Sequence, residues 1–511
     1  MNFAGLDVGT TGTKVIVVNE YGNLIASAYQ NYDLWMPHEG WSELNPDDIW
    51  NACKKVLREV ALQTNGQIDS IAVSSHAQAV IPIDAKGRTL YNFISTVDTR
   101  TEKEFQFWKN TKDEFDYYLK TGLPFSPIYT ANKILWLKSN CPTVFSRASR
   151  FLCAQDFVNW KLTGRAVMDY SLAGRGMLFN AQQKKWDADI LEIIGISPVQ
   201  LAELLPSGAE VGPLLPEVAA ETRLTEGTRI YSGGHDQTCG CIGSGVFKPG
   251  QAMNSCGTVE VLEAISSAFI TNPEILKFHY PCTPYITGKN YLVMSINNSG
   301  GAMLKWYLNT FCEFEKWKAG QTSADPYDQV IQAASKEISN VYVLPHLNGA
   351  ETPIQDPNSS CAFVHLRANT RKSDITRGLL DSMAYEMRLN KEAFETIGCG
   401  IHEIHAIGGG ARSPRFLQIK ADVLQTPFVA LAAKESAALG AAIIGAVGIG
   451  AYESYETAIA QMVKIERVYE PNSSLAASYD AHFEEYKLLY PSLANLNHFI
   501  SNRIRSGFNT L

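Results

Sequence analysis

The chain has 511 residues, of which 45% are hydrophobic and 19% are charged, a composition typical of a globular protein. At this length, two or three domains are expected rather than a single hydrophobic core. The formal net charge of −8 argues against a general nucleic-acid-binding protein, because no basic stripe would offset repulsion by the phosphates.

Apolar runs are too short to predict a membrane span, which needs roughly 20 residues. The nearest run, residues 437–452, is rich in Ala and Gly and predicts a packed core helix. The first residues lack a basic segment and read as a strand, so a cytoplasmic location is expected. Ten scattered cysteines fit reduced thiols in that compartment, and Cys239 and Cys241 have no second pair at zinc-ligand spacing.

The opening run FAGLDVGTTGTKVIVV, residues 3–18, predicts two short strands joined by a tight turn. Gly9 and Gly12 would let backbone N–H groups approach a ligand closely. Thr10, Thr11 and Thr13 add hydroxyl groups to this turn. Lys14 adds a positive charge, and Asp7 adds a carboxylate that could hold a metal through water. These groups suit a metal-bound polyphosphate, although an ordinary Gly-rich hairpin would have the same glycines.

Two other phosphate-binding motifs fit this chain poorly. No G-x-x-x-x-G-K-[ST] run is present, so a Walker-type loop is not predicted. The run GCIGSG, residues 240–245, superficially fits the dinucleotide-binding pattern but lacks its first close glycine pair and a clear preceding strand.

The first half of the chain reads as alternating strands and helices. Residues 68–84 predict a strand, a polar loop and a second strand, whereas residues 130–140 and 151–164 have helical apolar spacing. Such alternation predicts an α/β fold.

Near residue 228 the pattern restarts with a strand, a Gly-Gly turn and a helix of small residues, and residues 252–266 then predict a second strand–turn–strand unit. We interpret the two halves as duplicated α/β domains with a ligand cleft between them. The predicted limits are 1–247 for the N-terminal domain, 248–471 for the C-terminal domain and 472–511 for a helical tail.

Asp236, in the run SGGHDQTCGCIGSG, is the sharpest catalytic candidate. It follows two glycines and opens the small-residue helix, where the helix dipole would stabilise a carboxylate that acts as a base. The alternative is a helix N-cap, since Asp is a favoured capping residue. The second Gly-Thr turn that follows it favours the catalytic interpretation.

Two further glycine clusters could bind a nucleotide. Gly257 and Thr258 offer backbone and hydroxyl donors to a phosphate, and a plain hairpin turn is the alternative. Residues 406–424 predict a strand, three glycines and a helix, so that Gly408 to Gly410 would pack against a base or ribose and the helix N-terminus could face phosphate. Structural glycines at a strand-to-helix crossing are the competing explanation.

Polar residues follow two apolar runs of the first half, in SSHAQ and STVDTR. Ser75, His76, Gln78, Asp98 and Arg100 could converge on a polyhydroxylated ligand as hydrogen-bond partners. Solvated loop ends are the alternative.

Together these motifs resemble the FGGY family of carbohydrate kinases, within the actin, hexokinase and heat-shock chaperone ATPase superfamily. The resemblance covers roughly residues 3–460 and is carried by motifs in this order: DVGTTGTK, HEGWSELNPDDIW, TANKILWLKSN, DFVNWKLTGRAVMDYSLA, GGHDQTCGCIGSG, GTVE, SGGAMLKWYL at 299–308, GGGARSPRFLQIKADVLQTPF and ESAALGAAIIGAVGIG. It implies two ribonuclease H-like domains, ATP and Mg²⁺ as cofactors, and a small-molecule sugar as substrate.

The resemblance also assigns roles to residues. Asp236 is implied to take the proton from the attacking sugar hydroxyl and to contact the sugar, and Asp7 and Asp236 are the implied carboxylates at Mg²⁺. Phosphates would be held by Thr10, Thr11 and Thr258, and the nucleotide would be lined by Gly257, Gly301, Gly409, Gly410 and Ala411. Phosphoryl transfer needs chiefly such positioning and charge neutralisation.

The sugar loops depart from the best-known family members. Gln78 stands where xylulose kinases usually have His, and the loop Thr96–Arg100 keeps the Asp and Arg but has lost its usual aromatic residue. The Arg-Glu pair of glycerol kinases is missing. A ketopentose such as xylulose is the first expectation, and other ketoses, sugar acids and alditols stay open.

Three functions compete on these grounds. The main prediction is an ATP-dependent sugar kinase, and the resemblance alone implies a homodimer. A non-catalytic ATP and sugar sensor on the same scaffold is the second, because a sensor needs no base that faces the sugar. A nicotinamide-dependent dehydrogenase using GCIGSG is the third. No nucleic-acid or membrane partner is expected.

Overall fold

The computed structural model describes residues 1–298, 300–322 and 325–505. In the N-terminal half, short apolar runs form the following strands: β1 (Asn2–Val8), β2 (Gly12–Asn19), β3 (Leu24–Asn31), β4 (Glu43–Leu44), β5 (Ser70–Ser75), β6 (Ile81–Ile83), β7 (Phe93–Ile94), β8 (Arg150–Leu152), β9 (Val167–Asp169), β10 (Phe179–Asn180), β11 (Lys185–Trp186), β12 (Glu203–Leu205), β13 (Glu210–Pro213) and β14 (Arg229–His235). The helices of this half are α1 (Pro46–Gln63), α2 (Glu102–Thr111), α3 (Glu114–Thr121), α4 (Thr130–Asn140), α5 (Pro142–Arg147), α6 (Ala154–Thr163), α7 (Tyr170–Ala173), α8 (Ala188–Ile194), α9 (Pro216–Thr222) and α10 (Asp236–Gly243).

The C-terminal half repeats this composition of strands and helices. Its strands are β15 (Gly250–Cys256), β16 (Glu260–Ser266), β17 (Cys282–Pro284), β18 (Tyr291–Asn297), β19 (Tyr342–Leu344), β20 (Ala362–Val364), β21 (Ile401–Ile407), β22 (Phe428–Leu431) and β23 (Ile465–Tyr469). Its helices are α11 (Glu274–Lys277), α12 (Gly301–Phe311), α13 (Glu313–Thr322), α14 (Pro326–Ala333), α15 (Lys372–Thr396), α16 (Pro414–Leu424), α17 (Ser436–Gly448), α18 (Tyr455–Met462), α19 (Ala476–Tyr486) and α20 (Leu489–Arg505).

The two main sheets share six strands in corresponding order, and the C-terminal sheet has one further edge strand, β17. In the N-terminal sheet the order is β13-β14-β5-β1-β2-β3, with β1, β2 and β3 antiparallel and β1, β5 and β14 parallel. In the C-terminal sheet the order is β17-β18-β16-β15-β21-β22-β23, with β15, β16 and β18 antiparallel and β15, β21 and β22 parallel. This repeat confirms the predicted duplication of an α/β unit, and the exact domain limits remain predictions.

Helices α10 and α17 pack at the junction of the two halves, backbone against backbone. A Cβ atom on Gly440 of α17 would lie 1.8 Å from the carbonyl oxygen of Cys239 in α10. On the other side of α17, a Cβ atom on Gly5 of β1 would lie 1.7 Å from the carbonyl oxygen of Ala438. The close approach requires glycine at both positions and joins the first strand of the chain to the C-terminal half.

Most predicted elements are confirmed, and three details are corrected. The helix predicted over 151–164 begins only at Ala154, because residues 150–152 pair with β6. Gly233 and Gly234 lie inside β14 instead of forming a turn, and a Cβ atom on Gly233 would lie 2.1 Å from the carbonyl oxygen of Val73. After the three glycines of 408–410, a 3₁₀ turn precedes the helix, which begins at Pro414.

The tail predicted over 472–511 contains α19 and α20, and its residues 506–511 lie outside the described residues. Among the helices that the structure describes, none is both long enough and apolar enough to cross a membrane.

Candidate functional site

The carboxyl ends of three parallel strands meet at one edge of the N-terminal sheet, where ligands of α/β sheets bind. Asp7 lies near the end of β1, Ser74 lies beside it on β5, and His235 ends β14. Ser74 Oγ donates a hydrogen bond to Asp7 Oδ1 at 2.7 Å. Asp236 follows His235 directly, so the sheet brings two of the predicted carboxylates to one edge.

Asp236 is the first residue of α10, and His235 occupies the N-cap position. The alternative of a capping aspartate is therefore wrong. Asp236 Oδ1 accepts a hydrogen bond from the backbone N–H of Gln237 at 2.6 Å and lies 3.0 Å from His235 Nε2. Burial, and then the negative charge of Asp7, raise the pKa of Asp236 to about 7. Burial, followed by the positive charge of Arg175, holds the pKa of His235 well below its usual range, so this histidine is neutral.

Asp7 and Asp236 are the two carboxylates at this edge that could hold a divalent cation. Burial raises the pKa of Asp7, although the Ser74 hydrogen bond and the nearby Lys14 act in the opposite direction. No cluster of three or more His, Cys, Asp or Glu side chains arranged to hold a metal occurs within residues 1–298, 300–322 and 325–505. A site of one or two carboxylates is the kind that Mg²⁺ uses together with water and phosphate oxygens.

Lys14 lies opposite Asp7 on β2, but its ammonium group is turned toward the C-terminal half. Lys14 Nζ forms an ion pair with Glu435 Oε2 at 2.6 Å. Both residues line a groove of about 710 Å³ between the two halves. In this arrangement Lys14 links the halves and partly neutralises Asp7, and its predicted contact with phosphate stays a prediction.

The turn between β1 and β2 presents Thr10 and Thr11 at the surface. Its shape is fixed by the Gly9 N–H, which donates to the Gly12 carbonyl at 3.0 Å, and by Tyr32 Oη, which donates to the Gly9 carbonyl at 2.5 Å. The predicted contribution of Thr13 is wrong. Its hydroxyl is buried and donates to Tyr32 Oη at 3.4 Å, so it supports the turn from inside the protein and offers no donor to a ligand.

The nucleotide segments predicted in the C-terminal half lie together. Gly257 and Thr258 join β15 to β16, and their carbonyl groups accept the N–H groups of Gly301 and Ala302 at 2.9 and 3.0 Å. The turn that contains Gly409, Gly410 and Ala411 packs beside them, since a Cβ atom on Gly410 would lie 2.7 Å from Cys256 Cβ. Ser299, the first residue of the predicted 299–308 segment, lies outside the described residues.

The loop after β5 places His76 beside the same sheet edge. His76 Nδ1 lies 3.0 Å from the Val8 carbonyl, which can only accept, so Nδ1 carries the proton and Nε2 is an acceptor. His76 Nε2 is buried without a partner in the described structure. Burial lowers the pKa of His76 to about 4. Ser75 Oγ instead donates to the His76 carbonyl at 3.0 Å and is satisfied within the loop.

Asp98 and Arg100 are held in a closed cluster with Glu43. Arg100 donates to Asp98 Oδ2 at 2.7 Å and to Glu43 Oε1 at 2.8 Å, and all three side chains are at most 2% exposed. The guanidinium lies 3.8 Å from the Trp41 ring and 4.8 Å from the Trp136 ring. The Arg100 guanidinium is therefore packed against aromatic rings from two other segments of the chain. The observed contacts of Asp98 and Arg100 brace the loop and include none with Asp236.

Two residues near the sugar loops were not predicted to act there. Lys133 is fully buried and its Nζ donates to the carbonyls of Gln78 and Ser95, at 2.8 and 2.7 Å, so it joins the two loops. Burial lowers the pKa of Lys133 to about 7. A lysine within the apolar pattern of a buried helix is the signal that could have found it.

Arg175 is the second of these residues, and it is 6% exposed. The Gln78 amide is oriented by two neighbours. Its Nε2 donates to the Ala77 carbonyl at 3.2 Å, and its Oε1 accepts from Arg175 Nη2 at 3.1 Å. Arg175 Nη1 has no hydrogen-bond partner, and no carboxylate of the described chain lies at ion-pair distance. The lone arginine in the small and apolar run LAGRGMLF could have indicated it.

Comparisons with known proteins identify related sequences. Two models of the FGGY family of carbohydrate kinases match the chain, the N-terminal domain model over residues 3–243 and the C-terminal domain model over residues 252–449. The chain is 30% identical over 499 residues to the xylulose kinase of Bacillus subtilis (strain 168), which covers 96% of this chain and 97% of that protein. It is 27% identical over 503 residues to the gluconokinase of Bacillus licheniformis, with 98% and 96% covered.

A solved structure has the same fold. The ligand-bound xylulose kinase from Lactobacillus acidophilus superposes with a TM-score of 0.88 at 26% sequence identity, covering 96% of this chain and 98% of that one. The predicted pair of actin-like domains is thereby confirmed.

Proposed function

The chain belongs to the FGGY family of carbohydrate kinases and is a sugar phosphotransferase, and we propose that it transfers the γ-phosphoryl group of ATP to a sugar hydroxyl with Asp236 as the general base. The single observation that carries the proposal is the environment of Asp236. Its carboxylate lies at the sheet edge beside Asp7 and has a pKa of about 7, which suits a base near neutral pH. It accepts the proton that the attacking hydroxyl loses as the new P–O bond forms.

His235 supports Asp236 in this role. Because it is neutral and buried, its Nε2 can donate to Asp236 Oδ1 at 3.0 Å without placing a positive charge beside the base. The backbone N–H of Gln237 fixes the same oxygen. Asp236 Oδ2 is then the oxygen left to face the sugar.

The nucleotide would be held by the glycine segments of both halves. In this proposal Thr10, Thr11 and Thr258 bind the phosphates, and the nucleotide is lined by Gly257, Gly301, Gly409, Gly410 and Ala411. Asp7, together with Asp236, would hold Mg²⁺, whose charge neutralises the phosphate oxygens during transfer. Support comes from the two coupled carboxylates and from the contact between the Gly257–Thr258 turn and Gly301.

A ketopentose such as xylulose is the first candidate substrate, supported by the likeness to xylulose kinases. His76 Nε2 and Asp236 offer acceptors to the hydroxyl groups of such a sugar. A sugar acid is the second candidate, favoured by the buried Arg175, whose Nη1 is without a partner and could bind a carboxylate. The likeness to gluconokinases supports the same class.

Replacing the base separates this kinase from a non-catalytic sensor on the same scaffold. We expect Asp236→Asn to lower kcat for sugar-dependent ADP release by about 10²- to 10⁴-fold, because the proton of the hydroxyl loses its acceptor. Binding of ATP in the absence of Mg²⁺, measured by titration calorimetry, stays near the wild-type value. Turnover at the wild-type rate in this variant would contradict the assignment of Asp236.

A further inference from the structure

A buried charged cluster lies behind the nucleotide segments of the C-terminal half, and no function described above uses it. It consists of Lys420 of α16 with Asn254, Cys256 and Glu260 of β15 and β16, and is called the Lys420 cluster here. The Lys420 side chain has no exposed surface, and the Glu260 side chain is 4% exposed. Both charges have thus been taken out of water.

The side chains of the Lys420 cluster are hydrogen-bonded to one another, and Asn254 Nδ2 also donates to the Val261 carbonyl at 3.2 Å. Lys420 Nζ donates to Glu260 Oε1 and to Asn254 Oδ1, the latter at 3.0 Å, and lies 3.0 Å from Cys256 Sγ. Asn254 Nδ2 in turn donates to Glu260 Oε1 at 3.1 Å. Burial lowers the pKa of Lys420, but Cys256 and Glu260 outweigh it and raise that pKa above its usual value. Burial raises the pKa of the Cys256 thiol to about 12, so one ion pair remains.

The Lys420 cluster lies next to the three glycine-containing segments that are proposed to line the nucleotide. These are the Gly257–Thr258 turn, the Gly300–Gly301 segment and the Gly408–Gly410 turn. Cys256 directly precedes Gly257, and a Cβ atom on Gly410 would lie 2.7 Å from Cys256 Cβ. A Cβ atom on Gly300, the residue before α12, would lie 2.6 Å from Glu260 Cβ. The Lys420 ammonium group therefore joins α16, which follows the Gly408–Gly410 turn, to β15 and β16, which flank the Gly257–Thr258 turn.

Stability alone does not account for such a cluster. Replacing a buried ion pair by apolar side chains of similar volume is often neutral or stabilising, because the charges lose more on leaving water than they gain from each other. An ion pair with several hydrogen bonds does, however, fix direction and distance more tightly than apolar contacts.

We propose that the Lys420 cluster is a positioning element for ATP, which holds the Gly257–Thr258 turn in register with the Gly408–Gly410 turn. Lys420 and Glu260 act through these backbone segments without touching the nucleotide. The inference rests on the proposed function, which puts ATP at these segments.

The test is a double variant, Lys420→Met/Glu260→Leu, which removes both charges. The Asn254 amide keeps two partners, because its Nδ2 still donates to the Val261 carbonyl and its Oδ1 still accepts from the Cys256 thiol. We expect its Kd for ADP and its KM for ATP to rise on the order of tenfold or more, because the two turns lose their fixed spacing. KM for the sugar stays unchanged, since the sugar loops belong to the other half. ADP binding is measured by titration calorimetry and needs no knowledge of the sugar.

A matched control is the buried ion pair Arg377–Asp381 of α15, in the same half, with an N–O distance of 2.8 Å. Arg377 also contacts the Lys336 carbonyl and Tyr479 Oη, and not the glycine segments. We expect Arg377→Met/Asp381→Leu to bind ADP as the wild type does. Should Lys420→Met/Glu260→Leu fail to fold, Lys420→Arg, whose larger head group must displace Cys256, is expected to weaken ADP binding in its place.

Three outcomes would overturn the proposal. An unchanged Kd for ADP in the folded Lys420 variants would do so directly. Equal weakening by the Arg377–Asp381 control would reduce the Lys420 cluster to a general structural role. A wild-type protein that binds no ADP would overturn the proposed function first, and the positioning role with it.

Discussion

At the scale of single residues, the site proposed for the sugar contains buried polar atoms without partners. His76 Nε2, Arg175 Nη1 and Gln237 Oε1 all lack a hydrogen bond within the described structure. Buried polar atoms are nearly always paired, and each exception needs an explanation. Burial lowers the pKa of His235, and Arg175 and His76 lie close enough to lower it further. Burial raises the pKa of Asp236, whereas Gln237 and Arg175 act to lower it. The three residues therefore surround one site, where a polyhydroxylated ligand would supply the missing hydrogen-bond partners.

Arg175 carries the prediction at this scale. We expect Arg175→Met to lower kcat/KM for the preferred sugar by about 10- to 100-fold, the effect of one lost hydrogen bond to a charged group. The loss should be larger for a sugar acid, such as xylonate, than for xylulose. Steady-state ADP release with both compounds measures this ratio.

Arg165→Met is the matched control, because Arg165 lies in the same half but pairs with Glu203 at the surface. It should leave both values of kcat/KM unchanged. Equal losses for the acid and the ketose would contradict a carboxylate at Arg175, and no loss for either would remove Arg175 from the site.

At the scale of elements, helix α17 holds the two halves together through small residues. Its run SAALGAAIIGAVG brings backbone atoms of α17 against α10 and β1. The apolar run at 437–452 predicts a core helix, and the structure confirms it as far as Gly448, where α17 ends. The sequence pattern does not reveal that one side of this helix packs on the first strand, since that contact spans more than 400 residues of chain.

Gly440 tests this packing. We expect Gly440→Ala to lower the free energy of unfolding by about 1–3 kcal/mol or more, because the added methyl group would meet the Cys239 carbonyl. Gly320→Ala is the control. Gly320 lies in α13 with nothing within 4 Å of an added Cβ atom, so alanine should be neutral or slightly stabilising there. Urea unfolding measures both, and equal midpoints would contradict the account.

At the scale of the whole molecule, the sequence predicts the duplication and much of the cleft. Each Gly-Thr hairpin is formed by residues that are adjacent in sequence, so the repeat of this hairpin in the second half can be recognised without a structure. The position of Asp236 could be predicted for the same reason, because the end of β14 and the start of α10 are adjacent in sequence. Parallel pairing of β1, β5 and β14 then brings the predicted groups to one edge.

The parts that escaped prediction depend on contacts between distant segments. Arg100 pairs with Glu43 and packs on Trp41 and Trp136, three residues that its own loop does not contain. Lys14 forms an ion pair with Glu435 of the other half. The local sequence shows that such a residue is polar but does not show which distant residue it pairs with. In the sequence, a polar residue that stabilises a loop therefore looks the same as one that binds a ligand.

Sugar-dependent ADP release by the wild-type protein, with the phosphorylated sugar identified by mass, tests the central claim most directly. The panel should contain ketopentoses, sugar acids and alditols, with ATP and Mg²⁺ present throughout. The account predicts ADP release that requires one of these compounds, with an equal amount of phosphosugar formed. ADP release that is the same with and without every sugar, and no phosphosugar, would contradict it.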